Sequence, residues 1–269
     1  MAIKKDKFTF GSILGESIND YKKNFKEIFK FMLLFFGIPV LIFGLIEFAF
    51  YFVDPHLLTL VSTPSLLKQL NQGIIKLPLY YRMIDLFFSL IIILLTIFVS
   101  AGLIRTTLKK SSFSFRELID NGKAKYGRFL IFNIVFCIFI VLLFLLLIVP
   151  GIIFGIYWAF ASYIFLDKNE KILPSLKQSR KIVKGRWWKI FGYLLLISII
   201  LGVFSLLVNI IQLPTIIISA IHILNNTNLS VGFLGVATFM SVIAKFIANL
   251  VTAPLAVLFF KNFYKKIRK

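Results

Sequence analysis

Residues that could perform catalysis or hold a metal are scarce in this sequence of 269 residues. One cysteine, Cys137, and two histidines, His56 and His222, cannot together build a usual zinc site. The sequence contains no glycine-rich phosphate-binding loop, no dinucleotide-binding fingerprint and no Gly-x-Ser-x-Gly nucleophile pattern. We therefore expect no enzymatic activity and no cofactor.

The ionisable residues of greatest interest lie inside apolar segments. Ser241, Lys245 and Asn249 are spaced by four residues, so they share one helix face. Glu47 is the only acid well inside such a segment. It lies 17 residues after the lysine that precedes its segment, and Lys245 lies 16 residues before the lysine that follows its own. At the rise of an α-helix, both residues would then lie about 24–26 Å from the same boundary of a membrane, the cytoplasmic one.

We expect Glu47 and Lys245 to face each other, directly or through water, because an unpaired charge inside a membrane is costly. One interpretation makes the pair a gate or a substrate-ion site of a transporter. The alternative is that the pair only stabilises the fold, or that the Lys245 side chain extends outward to the headgroups.

The composition places these segments in lipid. Hydrophobic residues make up 59% of the chain and charged residues 16%, and the mean hydropathy is +0.92. Soluble domains contain about 25% charged residues, so the soluble-enzyme, disordered and fibrous classes are excluded. The net charge of +20 then indicates an integral membrane protein with basic cytoplasmic loops rather than a nucleic-acid-binding protein.

Six apolar segments are long enough to cross a bilayer core of about 30 Å. Numbered as spans 1 to 6, they cover residues 31–52, 86–104, 129–149, 151–166, 190–211 and 233–260. The predicted fold is therefore an all-α membrane protein. We expect a six-transmembrane helix bundle formed by a single integral membrane domain over residues 1–269.

Basic residues lie almost entirely on one side of these spans. Of the lysines and arginines, 27 occur before span 1, between spans 2 and 3, between spans 4 and 5, and after span 6, whereas three occur on the other side. The positive-inside rule then predicts that both termini are cytoplasmic, in a multi-pass protein of the cell (inner or plasma) membrane. The expected partners are membrane lipids, whose anionic headgroups the cytoplasmic clusters attract, and a further membrane protein.

A similar pattern precedes spans 1, 3 and 5. Residues 22–29, 125–132 and 184–191 each read as a lysine, five further residues, and then Ile-Phe. Upstream, apolar residues recur with a helical period, as in helices that lie in the bilayer interface with their apolar side toward lipid. This predicts three pseudo-repeated units of one interfacial helix plus a two-span hairpin, at approximately 8–104, 113–166 and 172–260. The alternative is that lysines and aromatic residues precede these spans in any protein of this orientation.

The connection between spans 3 and 4 is very short. Only Val149, Pro150 and Gly151 separate the two apolar runs, and no charge lies between them. Proline and glycine interrupt helices, so we expect a tight outward-facing hairpin that is partly sunk in the membrane. The alternative is a single bent helix.

Residues 145–195 resemble a bacterial membrane-domain family that is attached to some glycerophosphodiester phosphodiesterases. The resemblance lies in a Pro-Gly pair, a later Ser-Arg pair and a Gly-Arg-Trp-Trp sequence. These residues are Pro150, Gly151, Ser179, Arg180, Gly185, Arg186, Trp187 and Trp188. The resemblance extends loosely over residues 10–46 and implies a stand-alone multi-span protein. Phosphodiesterase chemistry is not expected, because this chain shows no His- and Glu-bearing catalytic domain.

The sequence thus favours a non-catalytic scaffold or accessory protein in membrane or envelope lipid homeostasis. The alternative is a transporter or channel for a small or lipid-like solute, with a polar site around Glu47 and Lys245. A wide polar cavity that contains Lys245 would favour transport. A solid bundle, or an apolar groove open to lipid, would favour the accessory role.

Overall fold

The structure, a computed structural model, describes residues 8–54, 63, 76–225 and 227–268. Within these residues it contains helices and connecting segments, and no strands. The α-helices are α1 (Phe10–Lys23), α2 (Phe25–Met32), α3 (Ile38–Val53), α4 (Leu79–Lys109), α5 (Phe115–Lys123), α6 (Tyr126–Leu146), α7 (Ile148–Tyr157), α8 (Ala161–Lys168), α9 (Ile172–Val183), α10 (Trp187–Asn209), α11 (Leu213–Leu224) and α12 (Val231–Arg268). A π-helical turn (Leu33–Gly37) joins α2 to α3, and a 3₁₀ turn (Ile210–Gln212) joins α10 to α11.

Six helical segments are long and apolar enough to cross a membrane, which confirms the predicted all-α fold with six spans. In the structure, spans 1 to 6 are Phe25–Phe50, Leu79–Lys109, Tyr126–Leu146, Ile148–Lys168, Trp187–His222 and Val231–Arg268. Spans 2, 5 and 6 are longer than the apolar runs predicted for them. Aromatic and basic residues continue the helices of spans 2 and 6, whereas the apolar helix α11 extends span 5. The chain is therefore a multi-pass membrane protein.

The described residues form two compact units. Unit 1 comprises those within Met1–Met32, Thr96–Gly202 and Val251–Lys269, and unit 2 those within Leu33–Leu95 and Val203–Leu250. Spans 3 and 4 therefore belong entirely to unit 1, whereas the other four spans contribute residues to both units.

Aromatic side chains fill the core of unit 1. Phe129 and Phe132 of α6, Phe160, and Phe263 and Tyr264 of α12 are fully buried. The rings of Phe160 and Phe263 meet edge to face with centroids 5.3 Å apart, and those of Phe129 and Phe132 are stacked at 5.9 Å. Offset and edge-to-face ring pairs of this kind stabilise a core beyond the area that they bury.

Three short amphipathic helices, α1, α5 and α9, precede spans 1, 3 and 5, in the predicted order. Their innermost side chains, Ile13, Leu118 and Leu176, are 0%, 0% and 4% exposed. The innermost part of each apolar side packs against other helices of unit 1, as in the contact between Gly102 and the Leu118 backbone, and this removes that apolar area from water. Other apolar residues of these helices, such as Leu173 of α9, are exposed, so the expectation that apolar sides face lipid stays a prediction.

The start of α5 is stabilised by a capping box. The Glu117 backbone N–H donates to Ser114 Oγ at 3.3 Å, and the Ser114 backbone N–H donates to Glu117 Oε2 at 2.8 Å. Lys110 donates to the other Glu117 carboxylate oxygen. This bond, followed by the bond from the Ser114 backbone, holds the pKa of Glu117 below its ordinary value.

Spans 3 and 4 form an antiparallel hairpin, as predicted, and not a single bent helix. The rings of Phe136 and Trp158 lie 6.2 Å apart, and a Cβ added to Gly151 would lie 2.7 Å from the Phe144 ring. The turn lies earlier than predicted, at the extended residue Leu147. Pro150 and Gly151 are in the first turns of α7, because the fixed φ of proline suits the start of a helix.

In unit 2, glycines allow close approach of α3 and α12. A Cβ added to Gly37 would lie 2.6 Å from the Phe246 ring, and one added to Gly44 would lie 2.6 Å from Val242. Near the other end of the contact, Gly235 of α12 adjoins a phenylalanine ring of α3 in the same way. Small residues commonly form such contacts in membranes, where helices associate through packing rather than hydrophobic exclusion.

Candidate functional site

Ser179 of α9 provides hydrogen bonds at the point where span 4 is interrupted. Residues 158–160, between α7 and α8, form turns instead of helix. The Ser179 hydroxyl donates to the carbonyl of Tyr157 at 2.8 Å and accepts from the Phe160 N–H at 3.2 Å. Because Ser179 is fully buried, these bonds satisfy backbone groups that water cannot reach.

Arg180 and Gly185 connect α9 to the neighbouring spans. The Arg180 guanidinium carbon lies 5.7 Å from the centre of the Phe154 ring and 5.5 Å from that of Tyr157, which are cation–π distances. Gly185 has φ +85°, a conformation that residues with a side chain rarely adopt, and this allows the chain to turn into α10. The carbonyl of Arg186 then accepts from an N–H in the first turn of α10 at 3.0 Å.

Trp187 and Trp188 begin α10 beside span 4. The Trp187 indole N–H donates to the Ile153 carbonyl at 3.4 Å, and its ring stacks on Phe191 at 5.3 Å. Trp188 is exposed and meets the Trp187 ring edge-on at 4.8 Å. Both tryptophans line an open apolar cavity of about 460 Å³, which we name the tryptophan groove. Its other lining residues are Val149, Ile152, Ile153 and Tyr157.

The residues of the family-like pattern thus have identifiable positions in unit 1. Pro150 and Gly151 begin α7 after the hairpin turn, and the other six lie where α9 packs on span 4 and continues into span 5. Their described contacts are packing and hydrogen-bonding contacts of the fold.

The predicted intramembrane polar residues lie in unit 2. Glu47 is half-buried, and its Oε1 accepts a hydrogen bond from the Tyr81 hydroxyl at 3.1 Å. The Lys245 residue is exposed, and Asn249 donates to its backbone carbonyl at 2.9 Å, while Ser241 is half-buried. Among the ion pairs of the described residues, none joins Glu47 to Lys245. The expected direct ion pair is therefore not formed, and Glu47 binds a tyrosine of span 2 instead. A contact through water stays a prediction.

A buried polar network joins α1 to α12, and sequence reasoning missed it. Lys261 is 4% exposed, and its Nζ donates to Asp20 Oδ2 at 2.5 Å. Asn262 donates to the same oxygen at 3.2 Å and to Ser17 Oγ at 3.1 Å. The available signal was the spacing of Ile13, Ser17 and Asp20, which lie on one face of α1.

Two further ion pairs hold the C-terminal end of α12. Lys266 Nζ lies 2.6 Å from Glu16 Oε1, and Arg268 donates to Asp167 Oδ2. Tyr264 also donates to the Asp167 carboxylate, at 3.1 Å. Part of the positive charge of the chain is therefore neutralised inside unit 1.

A second open cavity of about 400 Å³, the basic groove, combines cations with apolar walls. It is lined by Arg128, Ile131, Phe165, Lys171, Ile172, Leu173 and Pro174. Arg128 and Lys171 are exposed. The Arg128 guanidinium carbon lies 5.9 Å from the centre of the Phe165 ring, and Nη1 donates to Asn169 Oδ1 at 2.9 Å. This lining suits a ligand with both an anionic and an apolar part.

Other cations add to the positive potential at the basic groove. Lys125 donates to the same Asn169 oxygen at 2.5 Å. Burial lowers the pKa of Lys125, and the charges of Arg105, Arg128 and Lys109 lower it further. An anion bound nearby would relieve this repulsion, because an opposite charge favours the protonated form of a lysine.

No family model, no curated protein and no solved structure matches the chain. The likeness of residues 145–195 to the membrane-domain family therefore rests on their pattern alone. Among the residues that the structure describes, no group of three or more His, Cys, Asp or Glu side chains could hold a metal ion. What the chain does has to be inferred from its own geometry.

Proposed function

We propose that this chain is a non-catalytic scaffold or accessory protein in membrane or envelope lipid homeostasis. It lies in the cell (inner or plasma) membrane with both termini in the cytoplasm, and it gathers anionic lipids around its cytoplasmic face. The observation that supports this most is the arrangement of α1, α5 and α9, whose inner faces are buried in protein while their outer faces are basic.

The outer faces of these helices present exposed cations. The exposed residues are Lys22, Lys23, Arg116, Lys123, Lys177, Arg180 and Lys181. A basic residue near an anionic bilayer surface contributes about 1 kcal/mol to its attraction, so several together bias the lipids beside the protein. The innermost apolar residues of these helices are covered by protein, so we assign this attraction mainly to charge.

The cavities of unit 1 also favour the accessory role over transport. The basic groove and the tryptophan groove are both open and mainly apolar in their walls. The core of unit 1 is filled with buried aromatic and aliphatic side chains. Such a unit offers surfaces for lipid rather than a polar pathway.

Lipid analysis tests this proposal. The full chain is extracted from its native membrane in copolymer discs, and its lipids are compared with those of the bulk membrane. We expect acidic phospholipids to be enriched several-fold, and we expect a variant with Lys22, Lys23, Lys123 and Lys181 replaced by Gln to lose most of this enrichment. Wild-type discs with the lipid composition of the bulk membrane would contradict the proposal.

The bond between Glu47 and Tyr81 favours a second candidate function, transport of a small or lipid-like solute. A carboxylate within a span is a common element of ion and proton pathways. Uptake into vesicles that contain the purified chain would test this, with Glu47→Gln and Tyr81→Phe as variants. Transport requires that Glu47→Gln slow uptake, whereas vesicles no more permeable than protein-free ones reject this function.

A further inference from the structure

We propose that the basic groove binds one anionic glycerophospholipid, with its phosphate between Arg128 and Lys171 and an acyl chain along span 3. This inference rests on the proposed function, since it names one site at which the chain holds an anionic lipid.

The cationic end of the groove suits a phosphate. A guanidinium has five N–H donors, and the bond from Arg128 to Asn169 fixes the side chain with one of them. The remaining donors can bind two phosphate oxygens side by side. Lys171, the residue just before α9, also lines the groove and provides a second cation.

From this cationic end, an apolar path leads along α6. Ile131 lies one helical turn beyond Arg128 on the same face, and it is 56% exposed. Ile134 and Ile138 continue the exposed row at spacings of three and four residues. Leu173, two residues after Lys171, also lines the groove and is 56% exposed. In both segments an exposed cation is therefore followed by an exposed apolar residue, in the order of a headgroup and its acyl chain.

The size of the groove is consistent with part of a lipid. A cavity of about 400 Å³ lies within the range of small-molecule sites, and it is open at the surface. It can hold the phosphate and the beginning of one acyl chain, and the rest of the chain can follow α6 through the bilayer. A free phosphate would leave the apolar walls uncovered, so the groove fits a lipid better than a soluble anion.

Native mass spectrometry of the purified full chain in neutral detergent tests the site. Dioleoyl-phosphatidylglycerol is titrated against dioleoyl-phosphatidylcholine, and the occupancy of the tightest bound lipid is measured. We expect one phosphatidylglycerol to bind in preference to phosphatidylcholine. The Arg128→Gln/Lys171→Gln variant should bind it about tenfold more weakly or worse, given the contribution of two basic residues near a headgroup.

A matched control removes the same charge outside the groove. The Lys26→Gln/Lys184→Gln variant changes two other exposed cations, one in α2 and one just after α9, that do not line the groove. Its affinity should stay within about twofold of the wild type. An equal loss in both double variants would overturn the site, because net charge alone would then explain the binding. If the groove variant does not fold, Lys171→Gln alone is compared with Lys184→Gln, and the same outcomes apply.

Two further measurements distinguish a lipid from a free anion and this site from the general proposal. Leu173→Ser should weaken the binding of dioleoyl-phosphatidylglycerol but not that of dihexanoyl-phosphatidylglycerol. Inorganic phosphate should not compete with the lipid for the groove. Competition by inorganic phosphate at equal concentration overturns the lipid assignment. If the groove variant binds phosphatidylglycerol as tightly as the wild type, and its discs still enrich acidic lipids, the site is wrong while the proposed function stands. If wild-type discs show no enrichment at all, the proposed function fails.

Discussion

Replacing Asp20 by Ala should strongly destabilise the protein, because it leaves a buried cation without its counter-charge. Lys261 is 4% exposed, and Asp20 is the acid that it binds. Asn262 loses the same acceptor, so two hydrogen bonds to a charged oxygen disappear together. Because Lys261 is itself buried, its ammonium regains water only in part.

The expected cost follows from the burial of the two partners. Removing one member of a buried ion pair typically costs 3–5 kcal/mol. The Asp20 side chain is 23% exposed, so water can partly reach the vacated position, and we expect the lower part of this range, about 3 kcal/mol. For a chain of this size the midpoint of thermal unfolding should then fall by roughly 10 °C.

Glu16→Ala is the matched control, since Glu16 lies on the same helix and also pairs with a lysine of α12. Its partner Lys266 is 2.6 Å away, but the Glu16 side chain is 51% exposed. A surface pair of this kind contributes about 0–1 kcal/mol, so Glu16→Ala should lower the midpoint by no more than a few degrees.

Thermal unfolding of the purified variants in one detergent, followed by circular dichroism, makes the comparison. A double variant, Asp20→Leu/Lys261→Met, should recover much of the loss, because removing both charges leaves no unpaired ion. Equal midpoints for Asp20→Ala and Glu16→Ala would refute this account of the network. So would a double variant that is less stable than Asp20→Ala.

Three other predictions concern unit 1 and use the same unfolding measurement. Ser179→Ala should lower the free energy of unfolding by about 1–3 kcal/mol, since two buried backbone groups lose a partner. Ser175→Ala should lower it less, because the carbonyl that Ser175 binds keeps a backbone donor. A Ser175→Ala effect as large as that of Ser179→Ala would contradict this. Gly151→Ala should destabilise the hairpin by about 1–3 kcal/mol, because the new methyl would meet the Phe144 ring. Gly155→Ala has open space around the new methyl and should be neutral or stabilising. The reverse order would show that the hairpin contact is not tight. Because the pKa of Glu117 is lower in the folded chain, its contribution is complete above about pH 4.5 and is lost as the pH falls through the folded pKa. The midpoint difference between wild type and Glu117→Gln should therefore shrink as the pH falls below about 4.5, and a difference that stays constant would rule out this source of pH dependence.

The predicted hairpin shows where sequence patterns lose resolution. The apolar runs of spans 3 and 4 required a turn close to Pro150, and an antiparallel pair was the expected result. The turn lies instead at Leu147, which has no turn-forming character of its own. Proline is compatible with the first turn of a helix, so its presence does not distinguish a turn from a helix start.

The charged residues show a second limit. Positions 47 and 245 were matched by depth alone, and depth does not fix which way a side chain points around its helix. Tyr81 binds Glu47 instead, and a tyrosine near the end of an apolar run gave no sign of this. Similarly, Lys261 was counted among the basic residues after span 6, although it is buried against an acid 241 residues away.

Six apolar helices, with short amphipathic helices before spans 1, 3 and 5, could be predicted from the residues alone. Lipid has no hydrogen-bonding groups for the backbone, so a long apolar segment is restricted to a helix, and that restriction is local. Packing in three dimensions was needed to show which polar groups meet, that α1, α5 and α9 bury their innermost apolar residues in protein, and that two grooves open beside spans 3 to 5. These outcomes depend on how helices rotate and approach one another, and contacts between residues far apart in the chain set both.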